Sequence, residues 1–271
     1  MPEMNVCVAA VVDRHYQKYI PMFVYFCRVS YPSYGIRIFL TDTLNPTYRA
    51  ICDDLAREGD VKYIENMFRG YPKFNQELKS LRWLVGPAHF QGFDYIYMGD
   101  IDILICKEDL PLHLQHITHS SKYNIPYSNS VRPNSERLSG LHFIIKEKYF
   151  QSTLSVIKKH ATLLKGRKLG AVKNENLLYN IIRESKLPLP PGWFRPHHGI
   201  HLGVWRKQNV RISEEKWNTM GRNEYVKYYK YFLSVTGNAK YKKVYAVAPL
   251  KEITRMRTHL SAELLSADGN A

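Results

Sequence analysis

The sequence predicts an α/β fold whose N-terminal half is a doubly wound sheet, and three observations carry that expectation. Apolar, β-branched runs alternate with segments of helical spacing. The first two of those runs close on an aspartate, Asp13 and Asp42. A later run, "DYIYMGDIDILI" at 94–105, is apolar almost throughout, as a strand covered on both faces would be.

The first strand is "NVCVAAVVD" (5–13), and the helical segment "YQKYIPMFVYFCRVSY" (16–31) carries the chain to a second, "YGIRIFLTD" (34–42). A helix over 46–58 leads to a third strand, "VKYIENM" (61–67). In "FNQELKSLRWLVGPAHF" (74–90), Leu78, Leu81, Trp83, Leu84 and Val85 recur at roughly helical spacing, and the run at 94–105 follows as a strand. Next come a polar loop, "YSNSVRPNSERLSG" (127–140), the strand "LHFIIK" (141–146) and the helix "KYFQSTLSVIKKHATLLKG" (148–166). A further helix, "NENLLYNIIRES" (174–185), precedes "KLPLPPGWFRPHHGIHLGVWR" (186–206), whose prolines exclude a long helix. From about 213 the chain turns basic and tyrosine-rich, and "SADGNA" reads as a frayed tail.

With 271 residues, 45% of them hydrophobic, the chain can bury a sizeable core, and we expect a catalytic domain over 1–212 with an extension over 213–271. No stretch approaches the ~20 apolar residues of a membrane-spanning helix. The N-terminal run reads as a strand rather than a secretory signal, so the expected location is cytoplasmic. Cys7, Cys27, Cys52 and Cys106 lack a CxxC pairing and read as reduced, buried thiols. A formal charge of +15 points to an anionic partner: nucleic acid, an anionic membrane or a phosphate-bearing substrate.

Side chains alternate along a strand, so Asp100 and Asp102 are expected on one face, with Ile101 and Ile103 on the other. Two adjacent carboxylates repel and are costly to bury unless a cation lies between them, and a hard divalent ion suits oxygen ligands. "FDYIYMGDIDILI" resembles the strand ending in Asp-x-Asp of GT-A glycosyltransferases, most closely the retaining lipopolysaccharide galactosyltransferase and glycogenin type. That resemblance implies a GT-A, Rossmann-like, mixed but mainly parallel sheet flanked by helices. It also implies that Asp100 and Asp102 hold Mn²⁺ or Mg²⁺ on the diphosphate of a nucleotide sugar.

Other segments resemble the same family in order. "DRHY" (13–16) is similar to its Asp-x-x-Tyr, which assigns Asp13 and Tyr16 to the nucleotide base. "LKSLRWLV" (78–85) resembles the helix whose basic residue reaches the diphosphate, implying Arg82, with Lys79 one turn earlier as a second cation. "LSGLHFII" (138–145) resembles the segment lying against the donor sugar, implying Ser139 and Gly140, although the family more often has Asn where this chain has Leu138 or Ser139. "NENLLYN" (174–180) is similar to the family's Asp-Gln-Asp helix start, with Asn174 and Glu175 in place of the usual Asp and Gln. A carboxylate at Glu175 would stabilise an oxocarbenium-like transition state or attack the anomeric carbon. "RPHHGIHLGVWR" (195–206) lies where the family supplies a late histidine to the metal; His201 and His198 are both candidates, and His201 is preferred because Ile200 and Leu202 would face away from it.

The expectation is therefore a metal-dependent hexosyltransferase moving a sugar from a UDP-sugar to a saccharide or lipid-linked acceptor in surface polysaccharide or lipopolysaccharide synthesis. Tyr225, Tyr228, Tyr229 and Tyr231 interleave with Lys227, Lys230, Lys240, Lys242 and Lys243, which suggests peripheral contact with the anionic inner membrane face. The rival reading is a non-enzymatic nucleic-acid-binding protein, motivated by the same charge and interleaving. No recognition-helix, RNP-like or zinc-finger pattern accompanies it.

Overall fold

The computed structural model describes residues 4–71, 78–166, 174–206 and 222–268. Its centre is a six-stranded sheet formed by β1 (Val6–Val12), β2 (Gly35–Leu40), β3 (Val61–Ile64), β4 (Tyr95–Met98), β6 (Tyr127–Ser128) and β7 (His142–Ile145). Across the sheet the order is β3-β2-β1-β4-β7-β6. The first four strands of that order are parallel, while β7 and β6 join antiparallel at one edge. The mixed, mainly parallel α/β sheet is thus the one expected.

Both faces of the sheet are covered, and β1 shows why its sequence has no polar alternation. Val6, Val8, Ala10 and Val12 enter one apolar core, whereas Cys7 and Ala9 enter the other. The first core receives α1 (Ile20–Ser30) and part of α2 (Pro46–Ala56). Asn45 caps α2 by accepting from the Thr47 N–H, and Pro46 fills the first helical position, where no N–H is needed. The second core receives α4 (Lys146–Lys165) and α5 (Asn174–Glu184), while α3 (Leu112–Tyr123) leads into the β6 edge. All four cysteines are buried free thiols.

The run at 94–105 is not one strand. β4 ends at Met98, residues 99–102 turn, and β5 (Ile103–Ile105) leaves the sheet to pair antiparallel with β8 (Gly199–His201). An uninterrupted strand would have driven both carboxylates under a helix layer; the bend brings them out beyond the carboxyl ends of β1 and β4. A second departure lies at Leu81–Leu84, which is a 3₁₀ turn rather than an α-helix.

The C-terminal helices α6 (Arg222–Val235), α7 (Ala239–Tyr245) and α8 (Leu250–Asp268) pack on α1 and on the short turn Leu202–Trp205. Phe232 stacks on Phe26 with ring centroids 5.6 Å apart, and the Tyr25 hydroxyl donates to the Val235 carbonyl at 2.8 Å. Tyr225, Tyr228 and Tyr229, expected at a bilayer, are buried in this contact, and Tyr231 is half-buried. Burying phenol rings releases more apolar surface from water than leaving them on a charged helix face. The helix continues through Asp268, where a frayed tail was expected. The expected boundary at 212/213 lies outside the described residues, and none of the described helices is long and apolar enough to cross a membrane.

Candidate active site

A cavity of about 230 Å³ opens at the carboxyl ends of β1 and β4. Open α/β sheets place ligands at this edge because the loops leaving the strands diverge there. The turn at 99–102 forms its floor, the end of β1 supplies Asp13 and Tyr16, and Arg82 and Lys79 enter from the 3₁₀ segment and the residues before it. Asn174 and Glu175 descend from the start of α5, and His201 enters from β8.

Asp100, Asp102 and His201 each offer a ligand atom, and these atoms lie within 4.8 Å of one another. The pairing of Ile103 with His201 across β5 and β8 sets this convergence, bringing the imidazole Nε2 to 3.3 Å from Asp102 Oδ2. Burial disfavours a charged Asp102, yet His201 and then Arg206 outweigh it and hold the carboxyl down at about 2. Burial likewise opposes protonation of His201, and the charge of Asp102 overcomes it, raising the imidazole above its usual range. Gly203 keeps this corner open: a Cβ there would come within 2.6 Å of Asp102 Oδ2 and 2.7 Å of His201 Nε2.

Each acid has its own arginine. Arg82 Nη1 lies 2.5 Å from Asp100 Oδ1, and Arg82 Nε donates to Asn174 Oδ1 at 3.2 Å. Trp83 Nε1 donates to the same amide oxygen at 3.0 Å, so Asn174 serves to orient the arginine. Arg206 bonds Asp102 and donates to the hydroxyls of Tyr16 at 2.8 Å and Tyr19 at 3.1 Å. Its guanidinium lies over the Tyr16 ring, 4.6 Å from the centroid. Sequence reasoning missed Arg206; the one signal is its place closing the "GIHLGVWR" segment that supplies His201.

At the first strand's end, Asp13 Oδ1 accepts from the N–H groups of His15 and Tyr16, a turn that aims the tyrosine across the cavity. Lys79 is exposed at the mouth. Glu175 is held by two arginines of the 127–140 loop, Arg132 at 3.0 Å and Arg137 at 2.5 Å. Gly140 lies beside this pair, where a Cβ would meet Arg82 Nη2 at 3.0 Å and Glu175 Oε1 at 3.4 Å. Ser139 is fully buried outside the cavity lining; its hydroxyl accepts from the Leu141 N–H at 3.1 Å and so shapes the turn behind Gly140.

His198 is also outside the acidic cluster. Its Nδ1 lies 2.6 Å from Glu108 Oε2 and its Nε2 lies 2.9 Å from His116 Nε2. The chain of bonds continues from His116 Nδ1 to the Ser128 hydroxyl at 2.7 Å, while the Tyr228 hydroxyl donates to Glu108 at 2.8 Å. Both ring nitrogens of His198 are thus engaged in a buried network that secures the segment leading to β8. His201, the preferred residue, is the one beside the acids.

No family model matches the sequence, and no curated protein matches it. Among solved structures the chain is similar to the galactosyltransferase LgtC in complex with donor and acceptor sugar analogues, at 13% identity and a TM-score of 0.44, covering 65% of this chain and 70% of that one. It is similar to the apo form of the glycosyltransferase GlyE of Streptococcus pneumoniae TIGR4, at 12% identity and a TM-score of 0.45, covering 70% of this chain and 46% of that one. The bifunctional glycosyltransferase WbbM gives 11% identity and a TM-score of 0.42, with 70% of this chain and 39% of that one covered. The chain therefore spans less than half of the GlyE and WbbM chains. Likenesses this distant assign no activity, which leaves the cavity's own chemistry to do so.

Proposed function

We propose that the protein is a metal-dependent glycosyltransferase that transfers a hexose from a nucleoside-diphosphate sugar, a UDP-sugar by the likeness of its motifs, to a saccharide or lipid-linked acceptor. The observation that carries this reading is the convergence of Asp100, Asp102 and His201 on the floor of a cavity whose walls carry Arg82, Lys79 and Arg206. Two carboxylate oxygens and one imidazole nitrogen suit Mn²⁺ or Mg²⁺, and the space beside Gly203 is what such an ion needs. When bound, the ion would neutralise the diphosphate and make it a better leaving group.

The protein's own groups divide the remaining work. Arg82 and Lys79 offer N–H donors to phosphate oxygens, and Arg206 adds a fork of donors on the opposite side of the acidic pair. Tyr16 and Asp13 offer the base a ring face and a carboxylate. As the acceptor oxygen bonds the anomeric carbon, the bond to the β-phosphate oxygen breaks and the acceptor proton passes to the departing diphosphate. Glu175 lines the same cavity, where its charge would favour the positive character developing on the sugar. Retention fits either a same-face route or a double displacement through Glu175, and trapping of a sugar on Glu175 separates the two.

The rival nucleic-acid reading is not favoured, because the tyrosines that would stack on bases are in the core. Lys227, Lys242 and Lys243 remain exposed and supply charge for a membrane surface or acceptor carrier. Flotation with anionic liposomes tests that part separately. The central test is nucleotide-sugar hydrolysis in Mn²⁺ alongside calorimetric binding of UDP. Hydrolysis that persists in Asp100→Ala, or UDP binding indifferent to Mn²⁺, would refute the reading.

A further inference from the structure

Beside the cavity, next to its Glu175 wall, lies more positive charge than the neighbouring carboxylates use. Arg132 and Arg137 both spend themselves on the single carboxylate of Glu175. Arg195, partly buried on the segment before β8, makes no ion pair or hydrogen bond among the described residues, and its Nε is buried without an acceptor. The Nε of Arg132 is buried and unmatched in the same way. A guanidinium nitrogen that is buried without an acceptor is costly, so such a group gains by receiving an anion.

The geometry joins these residues into one surface. Arg195 follows Phe194, whose backbone N–H bonds the hydroxyl of Ser130, two residues before Arg132. Burial and then the neighbouring arginines hold Arg132 below the usual guanidinium range even though Glu175 opposes them. Beside it stands Trp193, 38% exposed although most large rings of the protein are buried, with the Arg132 guanidinium 5.7 Å from its ring centroid. The backbone presents the ring: Gly192 takes φ +82°, while Phe194 is anchored by donating its N–H to the Ser130 hydroxyl and by stacking on His119 at 4.3 Å. An exposed indole next to fork-shaped cations suits a sugar ring that carries an oxyanion.

We propose that the acceptor is an acidic saccharide, and that Arg132, Arg137 and Arg195 bind its carboxylate or phosphate at the rim while Trp193 lies against its ring. This rests on the glycosyltransferase reading for the word acceptor, but the anion subsite itself does not. Glu175 pairs with two of the arginines, and the incoming anion would share them, leaving Glu175 turned to the donor sugar.

The test is titration of the full chain, at constant ionic strength, with glucuronate, glucose 6-phosphate and glucose, read by ligand-observed NMR. At least one acidic sugar is expected to bind about tenfold more tightly than glucose, the value of one charge-assisted bond pair. Which of the two binds separates a carboxylate from a phosphate. Arg195→Gln should abolish the preference and Arg195→Lys retain most of it; Arg137→Gln, at a position with 44% of its side chain exposed, gives a second arm should the first variant fold poorly. Equal binding of all three sugars, or a preference that survives both glutamine variants, overturns the proposal. An acidic preference without Mn²⁺-dependent UDP binding would sustain the subsite and sink the donor reading, and the reverse pattern would do the opposite.

Discussion

The floor and the rim of the cavity are built on different principles. Floor residues Asp100, Asp102 and His201 stand at or beside strand ends, fixed by the pairing of β5 with β8, and Asp102 is only 4% exposed. Rim residues Arg132 and Arg137 come from a loop and remain 29% and 44% exposed along their side chains, while Glu175, at a helix start, is buried between them and the cavity. Fixed, dry charges act strongly because water cannot screen them; wet ones act weakly but can re-pair. The contrast teaches that, on the proposed reading, this cavity keeps rigid what would meet one small ion and keeps adjustable what would meet a larger, variable partner.

Breaking the floor should cost most. Asp102→Ala is expected to lower Mn²⁺-dependent nucleotide-sugar hydrolysis by about 10³-fold, as loss of a preorganised electrostatic group does, measured by release of UDP. Glu175→Gln sharpens the comparison, since a residue that only balances arginines would leave activity intact; we expect a fall of about 10²-fold together with a lower melting point, because Glu175 is buried and its loss leaves Arg132 and Arg137 without their carboxylate. Gly203→Ala should weaken Mn²⁺ binding by roughly 10–100-fold in calorimetry, comparable to losing a group that orients a ligand. The cause is the Cβ contacts of 2.6 and 2.7 Å with the two ligand side chains.

Acid should attack the packed region before the rim. Burial holds His142 down at about 3, and burial followed by neighbouring histidines holds His116 well below its usual value. Their unfolded forms take up protons near pH 6.5, so stability should decline as pH drops below that point, by about 1.4 kcal/mol per unit for each histidine. Urea midpoints at pH 7.5 and 5.5 measure this, and His142→Asn should reduce the slope. The smallest effect is expected on the exposed C-terminal face, where Lys227→Ser should shift stability by no more than about 0.5 kcal/mol.

Much of the frame was legible because apolar pattern and burial coincide. β1 through β3 and the helices between them fall within the runs of residues that announced them, since these elements lack competing polar demands. The bend at 99–102 was not legible: Ile101 and Ile103 maintain an apolar period through a place where the chain leaves its sheet. Periodicity reports burial, and both strands are buried. Asp100, Asp102, His201 and Arg82, expected together because their residue types share one chemistry, line one cavity. Arg206, Arg132, Arg137 and Arg195 were passed over because a basic side chain reaches far from its own backbone, so its target depends on tertiary packing. His198 shows the converse, a candidate by its neighbours in sequence whose left-handed backbone, φ +54°, accompanies a ring committed to Glu108 and His116.

One pairing fixes how this cavity can change. Because Ile103 stands opposite His201 in a two-stranded ribbon, sliding either strand by a single position would swing the imidazole to the far side, among the residues now packed behind Ile200. Insertions or deletions near 199–201 therefore have no graded outcome: the Asp100, Asp102 and His201 cluster survives whole or vanishes. Residues 132–137, beyond the Val131–Leu138 bridge, bear no such constraint, and alterations in length there would reshape the surroundings of Glu175 while leaving the acidic corner untouched.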